Sequence, residues 1–251
     1  MSKANFTLKI ASTPADLIAA QRLRYDVFIE ELGGAGTLVD HDARLEKDRF
    51  DAFADHLILF DNISGQAVGV YRLLRENQAR KAGQYYSENE YDLSVLTSSG
   101  RPLLELGRSC LHRDYRGGTA MLHLWRGLAS YIEQHSIEVL FGVASFHGTD
   151  IADLAAPLSM LHQRHLAPQE LRVRAKASKF QSMDLVPEKQ LDRRRAMIAT
   201  PALIKAYLRL GGFVGEGAYV DHAFNTTDVC LVLDVHKMNA RQARIYQGFT
   251  L

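Results

Sequence analysis

Leu103-Leu104-Glu105-Leu106-Gly107-Arg108-Ser109-Cys110-Leu111 is an apolar run that carries two opposite charges and a glycine. Its length and branched residues read as a buried strand. Soon after it, Gly117-Gly118 opens a long amphipathic stretch, Thr119 to about Gln134, with Leu122, Trp125, Leu128 and Ile132 in one stripe. Upstream, His56–Phe60 and Ala67–Leu73 flank the turn residues Asp61-Asn62-Ile63-Ser64-Gly65, which predicts a β-hairpin. Further upstream, Thr13-Pro14-Ala15-Asp16 is a helix start, with Thr13 as N-cap and Pro14 at the first position; Gly33-Gly34 stops that helix. Asp40–Asp55 is acid-rich and reads as a loop with one helical turn, and Lys81–Gly100 as a polar excursion. Downstream come a strand at Val139–Phe146, a helix at Asp150–Gln163 and an alternating segment at Leu171–Lys176. A helix at Pro201–Leu210 and a closing strand at Val229–Val235 complete the pattern. This order predicts an α/β (α+β) fold: a mixed sheet with helices on its faces.

The composition narrows the class. The chain has 251 residues, 47% hydrophobic and 24% charged, which excludes a collagen or a disordered chain. Two cysteines, Cys110 and Cys230, are too few for a disulfide scaffold and fit a reducing compartment. Thirty Lys and Arg against 29 Asp and Glu leave a net charge of +1, so no nucleic-acid partner is expected. Met1–Phe6 leads straight into patterned sequence, and the apolar runs are too short to span a membrane. A cytoplasmic location is expected, with peripheral contact with a membrane left open.

Asp48 and Asp51 stand three apart, so in a helical turn both carboxylates point the same way. Such a pair suits a cationic ligand or a metal; the plain alternative is a solvated loop. Glu105 and Arg108 are costly to bury unpaired in an apolar strand. Alternation puts Glu105 and Arg108 on opposite faces unless Gly107 breaks the pleat. A bulge there would free backbone N–H groups able to hold an oxyanion. Arg72, inside Val70-Tyr71-Arg72-Leu73-Leu74, has the same character. Arg24 and Phe28 are four apart and share a helix face. Arg113–Ala120 is a glycine-containing turn before a helix, a weak anion-site signal. His56 and Asp61 have an H-x-x-x-x-D spacing, but residues five apart on a strand face opposite ways, so a joint catalytic role is not expected. His162 and His165 share a helix face without a third metal ligand.

Arg24-Tyr25-Asp26-Val27-Phe28, the acidic stretch with Asp48 and Asp51, Tyr71-Arg72-Leu73-Leu74 and Glu105-Leu106-Gly107-Arg108 occur in one order. That order resembles the acyl-homoserine-lactone synthases, a branch of the GNAT acyltransferase fold. The pattern is more similar to the ornithine Nα-acyltransferases of ornithine-lipid synthesis. The likeness lies in Asp48-Arg49-Phe50-Asp51-Ala52-Phe53-Ala54-Asp55-His56-Leu57, Trp125-Arg126-Gly127-Leu128-Ala129, Ala144-Ser145-Phe146-His147-Gly148-Thr149-Asp150 and Leu203–Gly211. It runs from about Arg22 to Val235.

The resemblance implies a GNAT-like, mostly antiparallel central sheet flanked by helices. It implies one acyltransferase domain over 1–251, with a core at about 7–165 and a C-terminal elaboration at about 166–251 that the lactone synthases are expected to lack. It implies transfer of a 3-hydroxyacyl chain from acyl carrier protein (ACP), as its phosphopantetheine thioester, to the α-amine of L-ornithine. The product would be lyso-ornithine lipid. No permanently bound cofactor and no metal are expected. By that match Arg24, Phe28, Asp48 and Asp51 fall on substrate-binding positions, and Arg72, Glu105 and Arg108 on catalytic ones. The two aspartates would receive the side-chain ammonium, Arg24 or Arg108 the carboxylate, and Glu105 the amine proton. Arg116 stands where the usual GNAT pyrophosphate loop has its first glycine, which suits an ACP donor better than coenzyme A. Because ACP is acidic, Arg172, Arg174 and Lys176, with Lys179 nearby, form a candidate dock, and Arg193-Arg194-Arg195 a second basic run. An amine acyltransferase of another specificity and a non-catalytic GNAT-like binding module remain alternatives.

Overall fold

The computed structural model describes residues 5–36, 38–222 and 224–239. In chain order the strands are β1 (Phe6–Ile10), β2 (Asp55–Asp61), β3 (Ala67–Arg75), β4 (Tyr91–Asp92), β5 (Leu103–Leu111), β6 (Val139–His147), β7 (Arg174–Ala175), β8 (Phe180–Gln181), β9 (Phe213–Val214), β10 (Ala218–Asp221) and β11 (Thr226–Asp234). The helices are α1 (Pro14–Arg24), α2 (Glu76–Ala82), α3 (Ser94–Thr97), α4 (Ala120–Gln134), α5 (Ile151–His165), α6 (Arg193–Ala199) and α7 (Ala202–Arg209). The chain divides into two compact units. The described part of the first is 5–84 with 106–136, and that of the second is 85–105 with 137–239. Pairing within each is mostly antiparallel, and the fold is mixed α/β.

In the first unit β1, β2 and β3 form an antiparallel meander, with Leu106–Leu111 of β5 next to β3. Thr13 caps α1 as expected: its hydroxyl accepts from the Asp16 N–H, while the Asp16 carboxylate accepts from the Thr13 N–H. Side chains alternate across the strands, so the two sheet faces collect different helices. Ile58, Val70 and Cys110 pack with Ala20, Leu23 and Val27 from the α1 side. Their strand neighbours Leu57, Gly69 and Leu111 face α4. That helix approaches so closely that a Cβ on Gly127 would lie 2.1 Å from a Leu8 methyl, and one on Gly69 would lie 2.7 Å from Leu124. Both glycines are therefore spacers.

In the second unit Leu103–Glu105 of β5 pairs in parallel with Val139–Phe141, and β6 continues antiparallel to β11, then β10 and β8. Arg101 clips this sheet's end, its guanidinium bidentate on Asp234 at 2.9 and 3.0 Å and its Nε on Glu138 at 2.9 Å.

The structure corrects some sequence readings. α1 does not continue as an α-helix to Gly33; from Tyr25 to Glu31 it widens into a π-helix. The polar excursion holds α2, β4 and α3. Pleat disruption in β5 centres on Arg108, whose φ of 50° is left-handed, not on Gly107. A non-glycine residue held there costs about 1–3 kcal/mol. Among the described residues no helix is long and apolar enough to cross a membrane.

Candidate active site

Six charged side chains of the first unit close into a ring in which cation and anion alternate. The last turn of α1 supplies Arg24, the loop before β2 supplies Glu46, Asp48 and Asp51, β3 supplies Arg72 and β5 supplies Arg108. Arg24 donates from Nε to Glu46 at 2.5 Å and from a terminal nitrogen to Asp51 at 2.8 Å. One terminal nitrogen of Arg72 reaches Asp51 at 3.0 Å and Asp48 at 2.6 Å. Arg108 completes the circuit, with Asp48 at 3.0 Å and Glu46 at 3.1 Å. The ring has no net charge. Arg24, Glu46, Asp51 and Arg72 are at most 5% exposed. The side chains of Asp48 and Arg108, at 18% and 13%, form its one partly open edge.

Local sequence builds this arrangement. The Asp51 N–H donates to the Asp48 carbonyl and the Phe50 N–H to the Asp48 carboxylate, which fixes the turn carrying both aspartates. Gln21, one turn before Arg24, donates to the second Asp51 oxygen at 2.9 Å. The π-helix anchors the Glu46 loop: Tyr25 hydrogen-bonds His41, and Arg44 pairs with Asp26 and Glu30 while lying over the Tyr25 ring. Single-turn π segments often mark functional sites because they shift side-chain phase along a helix. The strained Arg108 backbone is held by the two carboxylates that its guanidinium meets.

Burial pushes the carboxyls of Glu46, Asp48 and Asp51 upward, but the arginines outweigh it and hold all three below their ordinary range. Burial lowers the pKa of Arg24, yet Glu46 and Asp51 raise it on balance. The three carboxylates and Arg24 therefore stay ionised at neutral pH. Cys110, beneath it, is pushed up to about 12 by burial and stays a thiol.

The other expected site residues lie elsewhere. Phe28 is half-buried against the α1 core. Glu105 belongs to the second unit and is 3% exposed. Its two oxygens accept the main-chain N–H groups of Tyr86 and Ser87, at 2.8 and 2.6 Å. Of the basic stretch, Arg172 donates to the Ala167 carbonyl at 2.7 Å, and Arg174 pairs with Glu216 and stacks on Phe180. Arg174 and Lys176 are exposed and line a surface groove of about 540 Å³ with Tyr91, Asp92 and Thr97. Arg116 is engaged bidentately by Glu31 and donates to the Leu111 carbonyl. Among the described residues Glu90, Asp221 and Asp228 each bring one carboxylate oxygen within 4.8 Å of the others.

Sequence reasoning missed Glu46, Gln21 and the contact of His56 with Asp51. Glu46 meets Arg24 and Arg108, both far from it in sequence, so no local spacing marks it. His56 lies in an apolar strand, and its contact is to the main chain.

Comparison with known proteins gives this geometry a context. The acetyltransferase (GNAT) domain family matches residues 23–126, a span holding all six ring residues. The L-ornithine N(alpha)-acyltransferase of Rhodobacter capsulatus is 56% identical over 247 residues, covering 96% of this chain and 95% of that protein. The protein of the same name from Brucella abortus is 41% identical, covering 95% and 88%. Among solved structures, the CoA-dependent acyl-homoserine lactone synthase BjaI, with MTA, superposes with a TM-score of 0.55 at 14% identity, over 98% of this chain and 92% of that one. The fold is thus shared nearly end to end. This overturns the expectation that lactone synthases lack the portion after residue 166.

Proposed function

This chain belongs to the L-ornithine N(alpha)-acyltransferases and is an acyltransferase, and from that membership we propose that it moves a 3-hydroxyacyl chain from ACP to the α-amine of L-ornithine, giving lyso-ornithine lipid. The observation that carries the acceptor assignment is the open Asp48–Arg108 edge of an otherwise buried charge ring. An anion beside a cation is the complement of a zwitterion. Ornithine exchanges the 3.0 Å Asp48–Arg108 contact for two of its own: its side-chain ammonium on Asp48 and its carboxylate, bidentately, on Arg108. Arg24 and Arg72 keep Asp51 and Asp48 in place while that exchange occurs.

The chemistry needs no covalent enzyme intermediate. The neutral α-amine attacks the thioester carbonyl and the C–N bond forms; the oxyanion then collapses, the C–S bond breaks, and the leaving thiolate takes up the proton that the amine gave to the base. Glu105 is the proposed acceptor of the amine proton, a role that rests on the family resemblance carried by Glu105-Leu106-Gly107-Arg108. A main-chain N–H at the disrupted pleat of Gly107–Arg108 is the proposed oxyanion donor. The proposed donor is ACP because Arg116 is already claimed by Glu31 and Leu111, and because residues 171–183 hold four bases and no acid.

One experiment tests the whole reading. The protein is incubated with 3-hydroxyacyl-ACP or 3-hydroxyacyl-CoA and a panel of amino acids, and products are read by mass spectrometry. An acylated product only with ornithine and ACP is expected; equal rates with the CoA thioester overturn the donor assignment. Asp48→Asn should raise the ornithine KM about tenfold, the worth of one charge-assisted contact. Putrescine, which lacks the carboxylate, should respond less to Arg108 substitution than ornithine does.

A further inference from the structure

His56 lies in β2, 3% exposed, directly across from Arg72 in the β2–β3 register. Its Nε2 is 3.1 Å from the main-chain carbonyl of Asp51. A carbonyl only accepts, so Nε2 carries the hydrogen. Nδ1 is buried, and no group among the described residues hydrogen-bonds it. In the neutral ring this nitrogen bears a lone pair, the cheaper orphan; a proton there would be a buried donor without an acceptor. The imidazole thus sits under the turn that positions Asp51, while the Asp51 carboxylate holds Gln21, Arg24 and Arg72.

We propose that His56 is a positioning residue of the charge ring: by donating from Nε2 to the Asp51 carbonyl it sets where Asp51 bridges Arg24 and Arg72. The proposal rests on the ring being the acceptor site. It implies that the ring is competent only while the imidazole is neutral. Three charged groups face His56 from elements other than its own: Arg24 from α1, Arg72 from β3 and Asp51 from the turn. Burial disfavours the imidazolium, Asp51 favours it, and the two arginines disfavour it, with a net shift below the ordinary histidine value. When Nδ1 is protonated, the ring gains a third cation on that side, and the Asp51 turn must move to relieve it.

The test compares wild type with His56→Gln, whose amide can donate to the same carbonyl but does not titrate, and with His56→Leu, which cannot donate. The readout is the ratio of the kcat/KM values for ornithine, variant over wild type, from about pH 5 to 8, so that the titration of ornithine's own amine cancels. His56→Gln should stay within about threefold of wild type at neutral pH and gain on it only as the pH falls below the ordinary histidine range. His56→Leu should raise the ornithine KM about tenfold with kcat far less affected. A flat Gln-to-wild-type ratio, or a wild-type KM in the Leu variant, overturns the proposal. If the Leu variant fails to fold, imidazole nitrogen NMR on wild type decides: a proton on Nε2 alone at neutral pH is required, and one on Nδ1 overturns it. Asp48→Asn separates the two layers. An unmoved ornithine KM there removes the ring as acceptor site, whereas a raised KM with a flat Gln ratio removes only His56.

Discussion

Arginine meets carboxylate in two very different settings in this molecule. In the ring, Arg24 and Asp51 are 2.8 Å apart with side chains 0% and 4% exposed. In the second unit, Glu188 accepts Arg164 and Arg193 at 2.7 Å each, and Asp192 lies 3.4 Å from Arg195, with side chains 43–89% exposed. The same pair chemistry has opposite meaning in the two places. Exposed pairs contribute about 0–1 kcal/mol each and need no function to explain them. A buried ion must be compensated for several kcal/mol of lost hydration, and apolar residues of the same volume often serve stability as well or better. Only the buried set therefore signals a role beyond stability. Its closure is what allows six charges to be held there, since every member meets two partners of opposite sign.

The sharpest way to break the contrast is to remove one cation from each setting. Arg24→Met leaves Glu46 and Asp51 short of a shared partner and should cost about 3–5 kcal/mol. In a chain of this length that lowers Tm by about 10 °C. Arg193→Met should cost less than about 0.5 kcal/mol. Thermal melts of the two variants decide it; similar shifts would mean that the ring is not a strongly coupled unit.

Glu105 sharpens the comparison from another side. It is as buried as Glu46, at 3% against 2%, yet its partners include main-chain amides rather than only arginines. If Glu46 is structural and Glu105 takes the proton, Glu105→Gln should lower kcat about 100-fold while the ornithine KM stays within a few-fold. Retention of wild-type kcat at the pH optimum assigns the base elsewhere.

Acid provides the next test. Glu46, Asp48 and Asp51 have carboxyls depressed in the folded state, so the stability they confer is complete above the unfolded carboxylate range. It is lost as the pH falls below about 4, through the lowered folded values. Tm should hold steady on their account down to that range and then drop. In Arg24→Met the drop should be shallower, because Glu46 and Asp51 have lost a cation that depresses them. Parallel melting curves from pH 5 down to about 3 in wild type and variant would contradict this.

Much of the scaffold was legible because it rests on local signals. The capping residues Thr13 and Asp16, the hairpin turn at 61–65 and the apolar run 103–111 each announce themselves within a few residues. β1 was missed because five alternating residues near a terminus are a weak pattern, and α6 because three consecutive arginines read as a solvated run. The π-helix escaped because residues four apart lie on nearly the same face in both helix types. The site was legible in its members more than in its connections. Arg24, Asp48, Asp51, Arg72 and Arg108 stand out as costly charges, whereas Glu46 enters only through contacts 22 and 62 residues away in sequence. That Arg108, not Gly107, takes the left-handed backbone follows from those same distant carboxylates, which no local rule contains.

The smallest expected effect concerns the exposed bases at Arg174 and Lys176, where stability and function should separate in the sense opposite to the ring. Arg174 already shares its charge with Glu216 and the Phe180 ring, and Lys176 lies beside the groove in open solvent. Replacing both by glutamate should leave Tm within about 2 °C, since exposed pairs contribute little. If the stretch steers an acidic carrier, the KM for acyl-ACP should rise about five-fold at low ionic strength. The gap should shrink as salt shortens the screening length from about 10 Å to a few ångströms. The ornithine KM should not follow. The Arg24 effect, by contrast, should change little with salt, because buried charges are poorly screened. An acyl-ACP KM that ignores the reversal at low salt would return Arg174 and Lys176 to the class of Arg193 and Arg195: charges whose exposure is explanation enough.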